Sequence, residues 1–296
     1  MKNHSWNKIK ESFKERSQSK ISKILDGNEG ESLLLTSSSD IGVIRNSGRQ
    51  GARLGARALK NELAKLEAPI NFNQKIKLVE VADQQLEIND FDKAQRQETE
   101  QIKKQLNQKY RKVIHLGGGH DHIYPLLMAM EEYKNILILN IDAHLDTRVD
   151  DWAHSGTPFR QFSDQTTSEF NLLQLGVHSE TNNSKNYTKL NNGHMKPLPF
   201  TKQEHLENIL QEISEINHDC LVLSIDCDGI DSNDVEAVSA PAYCGTPFHL
   251  VEELILKLKD DPTPQFLGVY EFNPTFDSVS GKSAKKVSWL INKFIF

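Results

Sequence analysis

Two aspartate-rich clusters carry most of the chemistry in this sequence. Asp142, His144 and Asp146 stand two apart, and so do Asp226 and Asp228. In an extended chain, residues i, i+2 and i+4 project to one side, whereas on a helix an i, i+2 pair diverges by about 200°. Extended backbone would therefore gather these side chains. Four aspartates drawn together repel one another and lose hydration, and two divalent cations would cancel their combined charge. The run Gly117-Gly118-Gly119-His120 adds a second imidazole. Four carboxylates and two histidines, without a thiolate, suit Mn²⁺ better than a structural zinc site, although the donor set leaves Zn²⁺, Fe²⁺ and Co²⁺ open. Two such ions about 3.5 to 4 Å apart share a water, lower its pKa and present hydroxide to an electrophilic carbon, so the implied reaction is hydrolysis.

Taken singly, these motifs have ordinary explanations: a lone Asp-x-Asp is usually a solvated turn or cap, and a lone Gly-rich histidine says little. Their placement argues for more. Each follows a segment with the composition of a buried strand, as does Glu271-Phe272-Asn273-Pro274. In an open α/β sheet, ligands bind beyond the carboxyl ends of the strands, so four segments distant in sequence can converge on one crevice.

The elements that must position them alternate between short β-rich runs and longer stretches of helical period, the pattern of a three-layer α/β/α domain with a mostly parallel, doubly wound sheet. Strands are predicted at 33–36, 77–82, 112–116, 135–141, 171–177, 220–225 and 265–270, and helices at 51–66, 91–109, 123–133, 203–216, 249–258 and 282–295. The helix at 91–109 reads as a solvated outer helix, and 179–193, rich in Asn, Ser and Thr, as a surface loop. Residues 1–30 read as a polar extension and 31–296 as one catalytic domain.

Composition narrows the function classes. With 35 basic and 41 acidic residues, the formal charge of −6 argues against nucleic acid or an anionic membrane as partner. No apolar run approaches the roughly 20 residues of a membrane span, and no secretory signal is visible at the start, so a soluble chain is expected. Cys220, Cys227 and Cys244 do not form a disulfide framework, which points to the cytoplasm. Cys227 lies between two aspartates but reads as a small buried residue.

From about Asp40 to Asp277, the Gly-rich histidine, Asp-Ala-His-x-Asp, Ser-x-Asp-x-Asp and Glu-x-Asn-Pro elements occur in the order of the ureohydrolases, the manganese enzymes that include arginase, agmatinase and formimidoylglutamase, and the chain resembles that family. The resemblance implies an arginase-like fold and two Mn²⁺ ions. One would be held by His120, Asp142, Asp146 and Asp226, the other by Asp142, His144, Asp226 and Asp228, with Asp142 and Asp226 bridging. Glu271 would face the amidinium of a small amidine substrate, and Asp146 would relay the proton to the leaving nitrogen.

Ile41-Gly42-Val43-Ile44-Arg45-Asn46-Ser47-Gly48-Arg49, Asp146-Thr147-Arg148, Ser155-Gly156-Thr157-Pro158-Phe159-Arg160 and Val238-Ser239-Ala240-Pro241 look like the formimidoylglutamase branch. That likeness implies cleavage of N-formimidoyl-L-glutamate to L-glutamate and formamide in histidine breakdown. Arg148 would pair with a substrate carboxylate, with Ser155 and Thr157 lining the substrate site and Arg49 and Arg160 as weaker candidates. Ser155 occupies the place where arginase carries a histidine, although His154 is one residue away. The alternatives are a hydrolase of agmatine or another guanidino compound, and a catalytically silent homologue. Homo-oligomerisation is implied by the resemblance alone.

Overall fold

A computed structural model describes residues 20–26, 29–70, 72, 74–82, 90–259 and 261–296. Among the described residues, nine strands form one sheet: β1 (Leu25–Asp26), β2 (Ser32–Ser37), β3 (Ile76–Ala82), β4 (Lys112–Leu116), β5 (Asn135–Ile141), β6 (Glu169–Leu175), β7 (Gly193–Leu198), β8 (Cys220–Asp226) and β9 (Gln265–Tyr270). Their order is β1-β3-β2-β4-β9-β8-β5-β6-β7, and every pairing is parallel.

Alternate strand residues feed two cores, as the two-residue period of a strand requires. Leu34, Leu137, Leu139, Leu223 and Leu267 face helices α2 (Gly55–Leu63), α6 (Gln203–Glu215), α7 (Phe248–Leu258) and α8 (Lys282–Ile295). Leu33, Leu35, Ile136, Ile138, Val222 and Phe266 face α3 (Phe91–Leu106), α4 (Ile123–Met128) and α5 (Pro158–Gln165). Helices thus cover both faces, and the predicted three-layer architecture is present. Among the described residues, no helix is long and apolar enough to cross a membrane.

The departures from expectation have local causes. β7, Gly-His-Met-Lys-Pro-Leu, has neither alternation nor an apolar run; it survives as an edge strand, where a proline without an N–H is tolerated. β1 has two residues and pairs with β3, so Leu25 and Asp26, expected in a polar extension, join the sheet, preceded by a 3₁₀ turn at Ile21–Lys23; residues 1–19, 27 and 28 lie outside the described residues. Helix α1 (Ile41–Arg45) is too short to show a period, and α5 opens with a proline that suits the first helical turn. Within 179–193 the chain makes two 3₁₀ turns, at Ser179–Thr181 and Ser184–Tyr187.

Helix α3 corrects a second expectation. Phe91, Gln95, Glu98, Ile102 and Leu106 recur every three or four residues and are all buried. The helix therefore has a full inward face, obscured in the sequence because two of its five members are polar.

Candidate active site

The four strands whose ends carry the polar motifs, β4, β9, β8 and β5, are consecutive neighbours in the sheet. Their ends are level: Leu116 pairs with Val269, Tyr270 with Asp226, and Ile225 with Ile141. With strands about 4.8 Å apart, residues just beyond these rungs meet in one crevice. Close approach requires glycine at two points. A Cβ on Gly118 would strike the Ser39 carbonyl, and one on Gly229 would lie 2.5 Å from Asp142 Cα.

His120 anchors the crevice. Its Nε2 lies 2.9 Å from Ser224 Oγ, which turns Nδ1 towards three carboxylates. Nδ1 is 2.7 Å from Asp146 Oδ2, 3.1 Å from Asp226 Oδ2 and 3.3 Å from Asp142 Oδ2, yet it is buried without an aligned hydrogen bond. One donor atom from each of these four residues falls within 4.8 Å of all the others, a set that could hold a metal ion. The orphaned imidazole nitrogen and the surrounding oxygens fit a cation among them, with Ser224 orienting the ring as outer partners of metal-bound histidines do.

His144 and Asp228 line the same cavity and extend the cluster. His144 Nδ1 is 3.3 Å from Asp142 Oδ1, which also accepts the His144 N–H at 2.7 Å. Asp228 Oδ1 accepts the Ala240 N–H at 3.2 Å, and the Asp228 N–H donates to Asp226 Oδ1 at 2.7 Å. The tight cluster is thus the first expected set, His120, Asp142, Asp146 and Asp226, with His144 and Asp228 on the wall of the adjoining cavity.

The electrostatics describe a site crowded with negative charge. Burial opposes a proton on His120, but Asp142, Asp146 and Asp226 outweigh it and raise the imidazole well above its ordinary value. Burial also opposes a proton on His144, but Asp142, with Asp146 and Asp226, outweighs it and raises the imidazole to about 10. Burial would raise Asp142, but contacts with His120 and His144 hold it low. Burial and neighbouring Asp142 push Asp226 up to about 6, and burial with Asp226 raises Asp228 well above the carboxylate range. A cation bound among these groups would relieve the same crowding of negative charge.

Glu271 Oε1 accepts the His120 N–H at 2.9 Å, while Oε2 is buried with no partner. Burial, then Asp226 and Asp228, raise its carboxyl well above the ordinary value. Glu271 (φ 60°) and Asp146 (φ 52°) both adopt the left-handed conformation that non-glycine residues avoid, at a cost on the order of 1–3 kcal/mol each. Such backbone persists where surrounding contacts over-determine it.

The cavity, about 220 Å³, is lined by Val43, Asn46, Gly48, His144, Asp146, Arg148, Ser155, Asp226, Asp228, Ser239, Ala240 and Glu271. Arg148 and Ser155 are thus among the lining residues. Thr157 is not: its hydroxyl donates to the His154 carbonyl at 2.9 Å and accepts the His154 N–H at 3.0 Å, so it braces the loop. Arg49 binds the carbonyls of Ser239 and Val238, and Arg160 those of Lys189 and Thr188, so both are loop braces.

Several contributors escaped the sequence reading. Asn46 accepts from Arg148 Nη1 at 2.8 Å and donates to Ser155 Oγ at 3.1 Å, joining the two; its only signal was membership of the 41–49 stretch. Beneath the site, the Tyr270 ring stacks on His120 with centroids 5.2 Å apart. Tyr270 OH is 3.1 Å from His115 Nδ1, His115 Nε2 is 2.8 Å from Ser37 Oγ, and Ser37 donates to Glu98 at 2.7 Å. Because Ser37 gives its proton to Glu98, it must accept from His115, which leaves His115 Nδ1 to accept from Tyr270. Burial keeps His115 neutral by lowering its pKa. His122 has acceptors on both ring nitrogens, Glu98 at 2.8 Å and the Ser39 carbonyl at 3.1 Å; Glu98 and Asp121 outweigh burial and raise it to about 9. Nothing in α3 marked Glu98 among its other charges.

Comparison with known proteins identifies the family and the fold. A model of the Arginase family matches residues 35–296, a wider span than the motifs suggested. A formimidoylglutamase of Staphylococcus epidermidis is 30% identical over 264 residues, covering 86% of this chain and 82% of its own. One from Photorhabdus laumondii is 29% identical over 267 residues, covering 84% and 81%. Among solved structures, a Trypanosoma cruzi formiminoglutamase with Mn²⁺ superimposes with TM-score 0.79 at 20% identity, covering 93% of this chain and 97% of that one. The formimidoylglutamase of Bacillus subtilis gives 0.77 at 18% identity, with 94% and 91% covered. Sheet order, the crevice at its centre and the extent of the sequence match place this chain in the arginase family.

Proposed function

We propose that the chain is a manganese-dependent formimidoylglutamase, a cytoplasmic enzyme whose residues 31–296 form the catalytic domain. The observation that carries this reading is the pairing of a carboxylate cluster with one guanidinium, Arg148, in a single cavity of about 220 Å³. That is below the roughly 300–1,000 Å³ of pockets for drug-sized ligands, and suits a small metabolite. N-formimidoylglutamate has a cationic amidine and two carboxylates, which complement those two features. Agmatine ends in a second cation, which Arg148 would repel.

His120, Asp142, Asp146 and Asp226 would hold one ion, and Asp142, His144, Asp226 and Asp228 the other. Bound there, the metals supply an activated water and Lewis acidity. The protein supplies the orientation. Glu271 Oε2, buried and unpartnered, accepts the N–H donors of the amidinium, as carboxylates do with planar cations. Arg148, steadied by Asn46, takes a substrate carboxylate, and Ser155 completes that end of the cavity. Asp146 carries a proton to the departing nitrogen, so that C–N cleavage releases glutamate and formamide. The curated relatives named as formimidoylglutamases support the choice.

The test is to incubate manganese-loaded protein separately with formimidoylglutamate, agmatine and arginine. Formamide release from the first without urea from the others is expected. Urea release from agmatine or arginine with equal or greater kcat/KM would replace this reading with a guanidino hydrolase.

A further inference from the structure

The loop between β5 and α5 carries Arg148 and Ser155, and a ring of contacts holds it closed. The Arg148 N–H donates to the Gly156 carbonyl at 3.1 Å, and the Ser155 N–H to the Gly42 carbonyl at 3.2 Å. At the centre is His154, only 3% exposed. The Gly156 N–H donates to His154 Nδ1 at 3.0 Å, and His154 Nε2 lies 2.8 Å from Asp150 Oδ2. A backbone N–H can only donate, so Nδ1 is the bare nitrogen, and Nε2 bears the proton given to Asp150. With both nitrogens engaged, and absent from the cavity wall, His154 is not poised to meet substrate despite its place beside Ser155.

The ring also touches the substrate end of the site. A Cβ built on Gly156 would lie 3.1 Å from His154 Cε1 and 3.2 Å from Arg148 Cδ and Nε, so imidazole and guanidinium flank the same glycine. Moving the ring therefore disturbs Arg148.

We propose that His154, oriented by Asp150, is a positioning residue that latches the Arg148–Ser155 loop in its substrate-receiving shape, and that protonation of Nδ1 opens the latch. The proposal rests on the reading of Arg148 as the partner of a substrate carboxylate. A proton on Nδ1 would set two donors against each other at the 3.0 Å contact and place a cation beside Arg148. The charged groups around the ring are Asp150, Arg148 and Asp146 of the same loop, and Arg45 of α1, which donates to the adjacent Ala153 carbonyl at 2.7 Å. Burial lowers the His154 pKa below the ordinary imidazole value, Asp150 opposing it, so the latch is closed at neutral pH and opens as pH falls.

The experiment measures steady-state kinetics on formimidoylglutamate between about pH 5 and 8, the range of imidazole titration, together with hydrogen exchange of the Gly156 amide in ¹⁵N-glycine-labelled protein. In the wild type, Gly156 protection should disappear and KM rise together on acidification, with kcat following a separate profile. His154→Ala should leave Gly156 unprotected at every pH and raise KM roughly five- to tenfold, the effect of one hydrogen bond. His154→Asn puts an amide oxygen near the position of Nδ1 that cannot be protonated there, and should restore both protection and low KM down to the acid end. An unchanged acid rise of KM in His154→Asn, or a protected Gly156 in His154→Ala, overturns the proposal. If the wild type releases no formamide while the Gly156 amide behaves as described, the substrate reading fails and the latch stands.

Discussion

Replacing Arg148 by methionine, which keeps much of the stem and removes the charge, isolates the substrate contact. In the free protein one guanidinium nitrogen is engaged by Asn46 at 2.8 Å, and the side chain lines the cavity beside Ser155. A charge-assisted hydrogen bond from its remaining nitrogens to a substrate carboxylate is worth about 1.5–3 kcal/mol, or about 10- to 150-fold in kcat/KM. The assay compares formimidoylglutamate with an N-alkyl formamidine lacking carboxylates. Arg148→Met should lower kcat/KM for the first by that factor and leave the second within about threefold. Arg148→Lys should fall between, because an ammonium cannot serve Asn46 and a carboxylate with one planar fork. Asn46→Ala should reproduce part of the loss, and the double variant should lose less than the sum of the singles, since both act through one contact. Equal losses on both substrates would show that Arg148 holds the loop and does not read the substrate tail.

Asp226→Asn removes a carboxylate shared by both proposed ion sets and should abolish turnover and lower the manganese bound per chain measured by elemental analysis; full activity with two ions retained would contradict the ligand assignment. Chelation of the loaded protein should lower the midpoint of thermal unfolding, because the cations offset the repulsion among buried carboxylates, and a midpoint unmoved by chelator would show that no such ion is held. Glu98→Gln leaves buried His122 without its counter-ion and should cost about 3–5 kcal/mol in denaturant unfolding at neutral pH, a loss under 1 kcal/mol refuting the ion pair. That cost should depend on pH. Glu98 is held below its ordinary value of 4.5, burial being outweighed by His122 and His115, so its contribution is complete above 4.5 and is lost as pH falls below it. His122 is raised from 6.5 to about 9, so its contribution is complete below 6.5 and is lost as pH rises through about 9. The wild-type advantage over Glu98→Gln should therefore be greatest between these limits.

Local, periodic signals are legible in the sequence itself. β5, Asn-Ile-Leu-Ile-Leu-Asn-Ile, can only be a strand buried on both faces, and the Asp-x-His-x-Asp that follows projects its ligands together whenever the chain is extended. β4, β8 and β9 have the same character, so the members of the carboxylate–histidine cluster and the strands that deliver them are legible in residue spacing and family likeness. Where apolar pattern is weak, that reading failed: β7 is polar, α1 has five residues, and the inward face of α3 includes Gln95 and Glu98.

Spacing along the chain thus accounts for which side chains can act as ligands, because backbone geometry within a few residues sets their direction. It does not say that β4, β9, β8 and β5 lie side by side, that Asn46 reaches Arg148 from 102 positions away, or that Thr157 and His154 turn into their own loop while Ser155 faces the cavity. Those outcomes depend on sheet order and on competition among hydrogen-bond partners across distant segments. Both are settled only when the whole chain is packed, since each buried donor takes the acceptor that the completed fold brings within reach.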